Sequence, residues 1–309
     1  MDVLRTPDER FDGLSDFAVE PSYATVTAAD AGAPDELRMA YIDTGPSDAA
    51  PVVLLHGEPT WSYLYRHMVG VLADAGPRVI VPDMIGFGRS DKPSQVADHT
   101  YARHVAWTWA LVEQLGLDAM TWVGQDWGGL IGLRLLAAHP ERFAGFVAAN
   151  TALPTGDHDM PEVWHRFRQT VNNAPTLDIT RLIQAGTQRE LSDDERAAYA
   201  APFPDESFKA GPRAMPELVP YHPGHAASED NRQAWQRLTE LDVPLLTAFS
   251  DGDPIMAGVD RIMQRKFPGA QGQAHTTITD AGHFLQEDKG RELAAVIADF
   301  ARPSASNGG

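Results

Sequence analysis

Short apolar runs alternate along the chain with longer segments of helical periodicity. Six runs have the length and composition of buried strands: PVVLL at 51–55, RVIVP at 78–82, MTWVG at 120–124, GFVAA at 145–149, VPLLTAF at 243–249 and HTTIT at 275–279. Helical patterns occupy 101–114, 127–138, 231–241, 259–267 and 287–301. Continuously apolar strands that alternate with helices predict a mainly parallel sheet covered by helices on both faces.

Two further regions depart from this alternation. Residues 22–27 and 37–43 alternate polar and apolar side chains, which predicts an antiparallel hairpin at the sheet edge. Between about 154 and 228 the chain is rich in proline and helical patterns and lacks a convincing strand. We therefore expect an inserted helical cap at 154–228, flanked by two parts of one α/β core at 1–153 and 229–309. The tail, 303–309, is expected to fray.

Composition narrows the possible partners. The 43 Asp and Glu residues outweigh the 25 Lys and Arg residues, so the net charge of −18 argues against nucleic acid or an anionic membrane as a partner. The absence of cysteine excludes disulfide and thiolate chemistry. No apolar run is long enough for a membrane helix or a secretory signal, so we expect a cytoplasmic location. Nothing in the sequence indicates a metal or an organic cofactor.

The stretch VGQDWGGL, 123–130, joins a predicted strand to a predicted helix. Its spacing, Gly124-x-Asp126-x-Gly128, is that of a nucleophile elbow, a sharp turn that usually carries serine. Ligands of open α/β sheets bind beyond the carboxyl ends of strands, where this turn would lie. An ordinary surface turn is the alternative, since such turns use Gly and Asp freely. Asp126 is therefore a candidate nucleophile.

The sequence His56-Gly57-Glu58 follows the strand at 51–55. In elbow-containing folds an early loop supplies one oxyanion-binding N–H, and the residue after the nucleophile supplies the other. This assigns the oxyanion hole to the backbone amides of Glu58 and Trp127, with a simple tight turn as the alternative. His56 itself is expected to be a structural, hydrogen-bonded histidine.

The candidate base and acid follow the last two predicted strands. His283, in DAGHF, comes after the strand at 275–279, a suitable place for a general base. The acid that orients it should follow the strand at 243–249, where Asp251 and Asp253 both stand. We favour Asp253, because Asp251-Gly252 is typical of a turn. The order of nucleophile, acid and histidine is that of α/β-hydrolases.

An aspartate nucleophile changes the expected reaction. Asp126 needs no base for its attack, because a carboxyl group with a pKa of about 3.9 is already ionised at neutral pH. Carboxylates suit displacement at a saturated carbon, which would leave an alkyl ester that His283-activated water hydrolyses. An epoxide leaving group would need an acid, usually tyrosine, whereas a halide needs only fixed N–H donors. The indole of Trp127, a donor with an apolar body, is suited to a halide.

These motifs resemble the haloalkane dehalogenases of the α/β-hydrolase superfamily, in the branch typified by the Xanthobacter 1,2-dichloroethane enzyme. The resemblance implies the α/β-hydrolase fold and hydrolysis of haloalkanes to a primary alcohol and halide. It also implies Asp126 as nucleophile, His283 as base, Asp253 as acid and Trp127 as one halide donor. The matching pieces are HGEPTWSYLYR (56–66), DMIGFGRSDKP (83–93), GQDWGG (124–129), AAPFPDESFKAG (200–211) and DAGHFLQED (280–288).

The second halide donor distinguishes the branches of this family. One branch has Asn where this chain has Glu58, and an ionised glutamate cannot donate a hydrogen bond. The branch with Glu takes its second donor from a cap tryptophan, and Trp164 is the only tryptophan in the predicted cap. The alternative for Trp164 is a core aromatic of a cap helix. Phe167, Phe203, Ile255 and Met256 are weaker candidates for lining an apolar pocket.

The nearest rival is an epoxide hydrolase with the same Asp nucleophile and a cap. It would need two cap tyrosines, for which Tyr199 and Tyr221 are the candidates. A non-enzymatic binding protein of this fold should lack a nucleophile, an acid or a base, whereas this chain has candidates for all three. We therefore expect as partners a small halogenated aliphatic substrate, water and a halide product. We expect the protein to be a monomer.

Overall fold

In the computed structural model, which describes residues 1–14, 16–28 and 36–302, one eight-stranded sheet forms the centre of the molecule. Its order is β10-β9-β8-β7-β4-β5-β3-β2. Neighbouring strands are parallel from β10 to β5, whereas β3 is antiparallel to β5 and β2 is antiparallel to β3. The remaining strands, β1 and β6, form a separate antiparallel pair. The strands are β1 Val3–Leu4, β2 Ser22–Val26, β3 Leu37–Thr44, β4 Pro51–Leu55, β5 Arg78–Pro82, β6 Lys92–Pro93, β7 Met120–Gln125, β8 Phe143–Ala149, β9 Leu245–Ser250 and β10 Thr276–Ile278.

Ten α-helices lie in the described part of the chain, and most of them alternate with the strands of this sheet. They are α1 Arg66–Asp74, α2 Tyr101–Gln114, α3 Trp127–Ala138, α4 Glu162–Asn173, α5 Ile179–Ala185, α6 Asp193–Ala200, α7 Ala210–Leu218, α8 Ser228–Leu238, α9 Val259–Lys266 and α10 Leu285–Ala301. The predicted bounds of α2 and α3 match, and the edge hairpin is present as β2 and β3. The apolar pattern did not reveal α1, and it placed the start of α8 three residues too late.

Burial explains why the central strands are continuously apolar. Every residue of β4 and β7 is buried, since helices cover both faces of the sheet. In register, Leu55 of β4 lies beside Gly124 of β7, and Gln125 lies beside Ala149 of β8. The loops that leave these three strands therefore meet at one edge of the sheet.

Residues 154–228 contain four helices, α4 to α7, and no strand. They pack against the rest of the chain through polar as well as apolar contacts. The Trp61 indole donates to the carbonyl of Ala198 at 3.2 Å. Glu287, at the start of α10, accepts hydrogen bonds from Arg66, Arg189 and Tyr199. We call residues 154–228 the helical segment.

Two predictions concern the ends of the chain and its surroundings. The tail, 303–309, lies outside the described residues, so its expected fraying stays a prediction. Within the described ranges, none of the helices combines the length and the apolar character that crossing a membrane requires.

Candidate active site

Asp126 stands on a sharp turn between β7 and α3. Its backbone has φ 49° and ψ −122°, a conformation that costs a non-glycine residue free energy and is common at functional sites. Hydrogen bonds hold this turn in place. The amide of Asp126 donates to the carbonyl of Asn150 at 3.1 Å, and the hydroxyl of Thr151 donates to the carbonyl of Asp126 at 2.7 Å. The turn is therefore the elbow that the sequence spacing predicts.

Two glycines make room for this turn. A Cβ atom on Gly128 would lie 1.8 Å from the carbonyl oxygen of Leu55, and one on Gly57 would lie 2.4 Å from the Asp126 side chain. Both separations are far below any van der Waals contact. Only glycine therefore allows β4, its following loop and the elbow to approach this closely.

Backbone amides hold the Asp126 carboxylate. The amide of Glu58 donates to Oδ1 at 2.9 Å, and the amide of Trp127 is also hydrogen-bonded to this carboxyl group. Burial raises the pKa of Asp126, while the charge of His283 and the two amides oppose that increase. The two amides assigned to the oxyanion hole thus both donate to the carboxylate of Asp126, as their predicted places after β4 and β7 require.

His283 lies between two carboxylates. Its Nδ1 is 2.7 Å from Oδ2 of Asp253, and its Nε2 is 3.7 Å from Oδ2 of Asp126. Burial lowers the pKa of His283, but the charge and hydrogen bond of Asp253 and the charge of Asp126 raise it to about 9. Histidine placed in this way can exchange a proton with a group bound near Asp126.

Asp253 is the carboxylate that contacts the histidine, while Asp251 is exposed. Oδ1 of Asp253 accepts from the amides of Ile255 at 2.8 Å and Met256 at 3.3 Å. Burial opposes its ionisation, but the charge and hydrogen bond of His283 and these two amides lower the pKa of Asp253 below its ordinary value. This carboxylate therefore stays charged beside the imidazole.

Two polar residues at strand ends were not found from the sequence. Asn150, after β8, donates through Nδ2 to the carbonyls of Gly282 and His283, each at 3.0 Å, and its φ of 40° is unusual for a side-chain-bearing residue. Gln125 lies at the end of β7. Its side-chain Nε2 is 3.2 Å from the carbonyl oxygen of His283 and 3.1 Å from the imidazole Nε2 of the same residue. Each of the two polar residues directly follows an apolar run that was predicted to be a strand, and this position could have signalled their role.

A cavity of about 250 Å³ lies between the sheet edge and the helical segment. This volume is below the range of about 300–1,000 Å³ that is common for drug-sized ligands, so the cavity suits a small substrate. Its lining contains the candidate site residues Glu58, Asp126, Trp127, Trp164, Phe167, Asp253, Ile255, Met256 and His283. Most of the other lining residues are apolar, among them Leu130, Ala152, Met160, Val163, Leu182, Pro216, Val219 and Phe284.

The indoles of Trp127 and Trp164 differ from those of three other tryptophans. Trp61, Trp122 and Trp235 each donate their indole N–H to a backbone carbonyl. Among the described residues, the indole N–H groups of Trp127 and Trp164 have no such acceptor, although the two residues are only 2% and 5% exposed. Both residues line the cavity, so these two N–H groups are available to a ligand there.

The surroundings of Glu58 alter one premise of the sequence argument. Its side chain is buried beside Asp126 and lines the cavity, and its Oε1 has no hydrogen-bond partner among the described residues. Burial and the neighbouring charge of Asp126 raise the pKa of Glu58 well above its ordinary value. This shift disfavours the ionised form, which is the form that cannot donate a hydrogen bond.

Several other candidates lie outside the cavity. Phe203 does not line it, because its ring packs edge-on against Phe87 with the centroids 6.4 Å apart. The Tyr199 hydroxyl donates to Glu287, and the Tyr221 hydroxyl contacts Arg168 and Glu217. No tyrosine occurs among the described residues that line the cavity.

His56 is structural, as expected, because both of its ring nitrogens are occupied by the backbone. Nε2 accepts from the amide of Met84 at 3.0 Å, and Nδ1 contacts the carbonyl of Gly57 at 2.9 Å. Burial lowers the pKa of this histidine, which keeps the ring neutral in a site without solvent.

One group of side chains has metal-ligand spacing. His67, Glu195 and Glu287 lie close enough to share an ion. Arg66 and Arg189 already pair with both glutamates, and two guanidinium groups at this point would repel a cation. These residues fit an ion-pair network better than a metal centre.

Comparisons with known proteins agree with this geometry. A family model described as the alpha/beta hydrolase fold matches residues 50–290. A haloalkane dehalogenase of Psychrobacter cryohalolentis is 52% identical, and the match covers 97% of this chain and 98% of the relative. One from Mycolicibacterium paratuberculosis is 48% identical with the same coverage. The tetrameric haloalkane dehalogenase structure from Paraglaciecola agarilytica matches with a TM-score of 0.86 and 34% identity, covering 96% of this chain and 97% of that one.

These matches extend over nearly the whole length of both partners, so they include the elbow, the strand-end loops and the helical segment. They confirm the fold and the resemblance that the motifs predicted. The chain therefore belongs to the haloalkane dehalogenases, hydrolytic enzymes with the α/β-hydrolase fold.

Proposed function

We propose that this enzyme hydrolyses haloalkanes to a primary alcohol and halide through a covalent alkyl ester on Asp126. One observation carries the proposal. A carboxylate held by two backbone amides lies in a small apolar cavity that is also lined by two indoles without hydrogen-bond acceptors. The carboxylate is suited to attack carbon, and the indoles are suited to a leaving group that needs no proton.

In the first half-reaction an oxygen of Asp126 attacks the carbon that bears the halogen. The C–O bond forms as the carbon–halogen bond breaks, and the halide leaves with the bonding electron pair. Oδ2 is the attacking atom in this scheme, because Oδ1 accepts from the amide of Glu58. The N–H groups of Trp127 and Trp164 bind the departing halide. Each hydrogen bond to the anion contributes about 1.5–3 kcal/mol.

In the second half-reaction His283 takes a proton from water, and the water oxygen attacks Cγ of the ester. Negative charge develops on Oδ1, which the amides of Glu58 and Trp127 stabilise. The bond between Cγ and Oδ2 then breaks, and the alcohol leaves with the proton from His283. The carboxyl group of Asp126 then loses its remaining proton to solvent, which restores the carboxylate. Asp253 holds the imidazole through Nδ1 and stabilises its charged form.

The electrostatics of the site fit this order of events. In the free enzyme, the charge of Asp126 is one of the causes that raise the pKa of His283 to about 9. Ester formation neutralises Asp126 and removes that cause. The pKa of His283 should therefore fall. A larger fraction of the histidine is then unprotonated, and able to act as a base, at the stage when water must be activated.

An epoxide hydrolase fits the cavity less well. That reaction needs an acid for the epoxide oxygen, and the candidate tyrosines, Tyr199 and Tyr221, bind other side chains away from the cavity lining. We further propose that residues 154–228 act as a cap that carries the second halide donor. The monomeric state and the cytoplasmic location stay predictions, and the relative from Paraglaciecola agarilytica is described as a tetramer.

The deciding experiment compares two substrates. Purified enzyme is incubated with 1,3-dibromopropane or 1-iodobutane, and free halide is measured; a parallel sample receives styrene oxide, and diol is measured. We expect halide release with little diol. Diol formation without halide release would overturn the proposal and favour the epoxide reaction.

A further inference from the structure

Asp288 lies five residues after His283, in the first turn of α10. Its carboxylate accepts three backbone N–H groups from two different parts of the chain. Oδ2 accepts from Gly282 at 2.8 Å, Oδ1 accepts from Arg189 at 2.9 Å, and both oxygens lie 3.0 Å from the amide of Gln188. All three donors are backbone amides, so the only side chain in these four contacts is that of Asp288.

These three amides belong to segments that meet at the active site. Gly282 directly precedes His283, and residues 186–188 line the cavity after α5. The two segments also touch each other directly, because the amide of Phe284 donates to the carbonyl of Gly186 at 3.0 Å. A Cβ on Gly282 would lie 2.4 Å from that same carbonyl oxygen, so no side chain separates them.

The bonds to Asp288 are of the strong, charge-assisted kind. Hydrogen bonds from backbone amides to a carboxylate are about twice as strong as those between neutral groups. Its neighbour Glu287 is already occupied by Arg66, Arg189 and Tyr199, so it cannot take over the same amides. Asp288 is therefore the acceptor that joins the loop at 279–284, which we call the histidine loop, to the segment after α5.

We propose that Asp288 is a positioning residue for His283, holding the histidine loop so that Nε2 is aligned to activate water. This inference rests on the proposed two-step function, since it assigns Asp288 to the second half-reaction. Among the described residues, the hydrogen bonds of Asp288 go to Gly282, Gln188 and Arg189, and none reaches the turn that carries Asp126 and Trp127. Alkylation of Asp126 is therefore independent of Asp288, while hydrolysis of the ester depends on it.

Geometry explains why a small displacement matters for one step only. Proton transfer to His283 needs a hydrogen-bonded water beside Cγ of Asp126, and a misplacement of about 1 Å can cost about a hundredfold in rate. Displacement of the halide uses no atom of His283. A change at Asp288 should therefore separate the two half-reactions, which a general loss of folding stability would not do.

The test is a rapid-quench experiment on Asp288→Asn with 1,3-dibromopropane. Asparagine keeps the size but places an NH₂ group against amide donors. We expect alkylation, followed by intact mass, to keep its rate while ester hydrolysis slows about tenfold or more. The control is Asp280→Asn, which changes a carboxylate of the same loop whose side chain is 85% exposed; both steps should keep their rates there.

Equal slowing of both steps in Asp288→Asn, or unchanged hydrolysis, would overturn the inference. If that variant does not fold, Asp288→Glu replaces it, because it keeps the charge but moves the carboxylate by one methylene; hydrolysis alone must slow in this variant too. Failure of the proposed function is distinguishable, since then no alkylated mass would form even in His283→Phe, the variant in which the ester should accumulate.

Discussion

The two walls of the active-site cavity are held in place by different forces. The sheet wall, formed by Asp126, Trp127, Asp253 and His283, stands at strand ends and is fixed largely by backbone hydrogen bonds. The helical wall, formed by Trp164 and the other cavity-lining residues of α4 and α7, is fixed mainly by side-chain packing. Backbone hydrogen bonds specify positions more narrowly than apolar contacts, which tolerate repacking.

This difference suggests a division of labour. The sheet wall contains every group that would form or break a covalent bond, so substitutions there should change chemical steps. The helical wall supplies an indole N–H and apolar surface, so substitutions there should change halide binding and substrate fit. The following predictions test this division, beginning with the largest expected effect.

Replacing Asp126 with alanine should abolish dehalogenation. The change removes the atom that attacks carbon, so halide release from 1,3-dibromopropane should fall by at least about 10⁴-fold. Asp251→Ala is the matched control, because Asp251 is an exposed carboxylate near the same loops and should be dispensable. Substantial halide release by the Asp126 variant would contradict the assignment of the nucleophile to the sheet wall.

Replacing His283 with phenylalanine should stop the second step and spare the first. Without a base, ester hydrolysis should slow by about 10²- to 10⁴-fold, so the alkyl ester accumulates. Intact mass spectrometry after substrate addition should show one added alkyl group. His56→Phe is unsuitable as a control, because His56 has both nitrogens bound in the core; exposed His222 can be replaced instead. An unmodified mass in the His283 variant would contradict the two-step route.

Replacing Trp164 with phenylalanine should weaken halide binding and leave the sheet wall intact. Loss of one N–H donor of about 1.5–3 kcal/mol corresponds to a roughly ten- to hundredfold weaker bromide affinity. Quenching of tryptophan fluorescence by bromide measures this affinity. Trp235→Phe is the control, since that indole donates to the carbonyl of Leu153 at 2.6 Å and does not line the cavity. Equal bromide affinity in the two variants would mean that Trp164 is only a core aromatic.

The smallest effect concerns pH. Hydrolysis needs unprotonated His283, whose pKa of about 9 in the free enzyme should fall once the ester removes the charge of Asp126. The hydrolysis rate should therefore rise with pH, by at most about tenfold per unit, and level off at a pH below 9. Alkylation needs ionised Asp126, whose pKa burial raises from its ordinary value, so it should decline only towards acidic pH. Single-turnover rates of both steps measure this; parallel pH profiles would contradict the assignment.

The sequence predicted the sheet wall well, because its features are local. Glycines at fixed offsets from Asp126 signal an elbow, since only they permit the close approach of β4. His283 and Asp253 each follow an apolar run that becomes a strand, and parallel strand ends necessarily meet at one edge.

The helical wall and the supporting contacts were harder to predict. Phe203 was expected in the cavity, yet its ring packs against Phe87, a contact between positions more than a hundred residues apart. Asn150 lies outside the quoted motifs, and Asp288 ends the motif 280–288 without any local sign of its role, because both roles depend on backbone groups that tertiary packing brings near them. The raised pKa of Glu58 also depends on burial, which no local pattern encodes.

Three glycines on the cavity lining limit how this enzyme can change its substrate range. A Cβ on Gly186, Gly252 or Gly282 would lie 2.8 Å or less from atoms of the Phe284 ring, the Ala281 carbonyl or the Gly186 carbonyl, respectively. A larger residue at any of these glycines would therefore displace the histidine loop, so this side of the cavity cannot be reshaped by substitution. Adaptation to longer or bulkier haloalkanes must instead proceed through the opposite side, where Met160, Val163, Phe167 and Val219 present replaceable side chains.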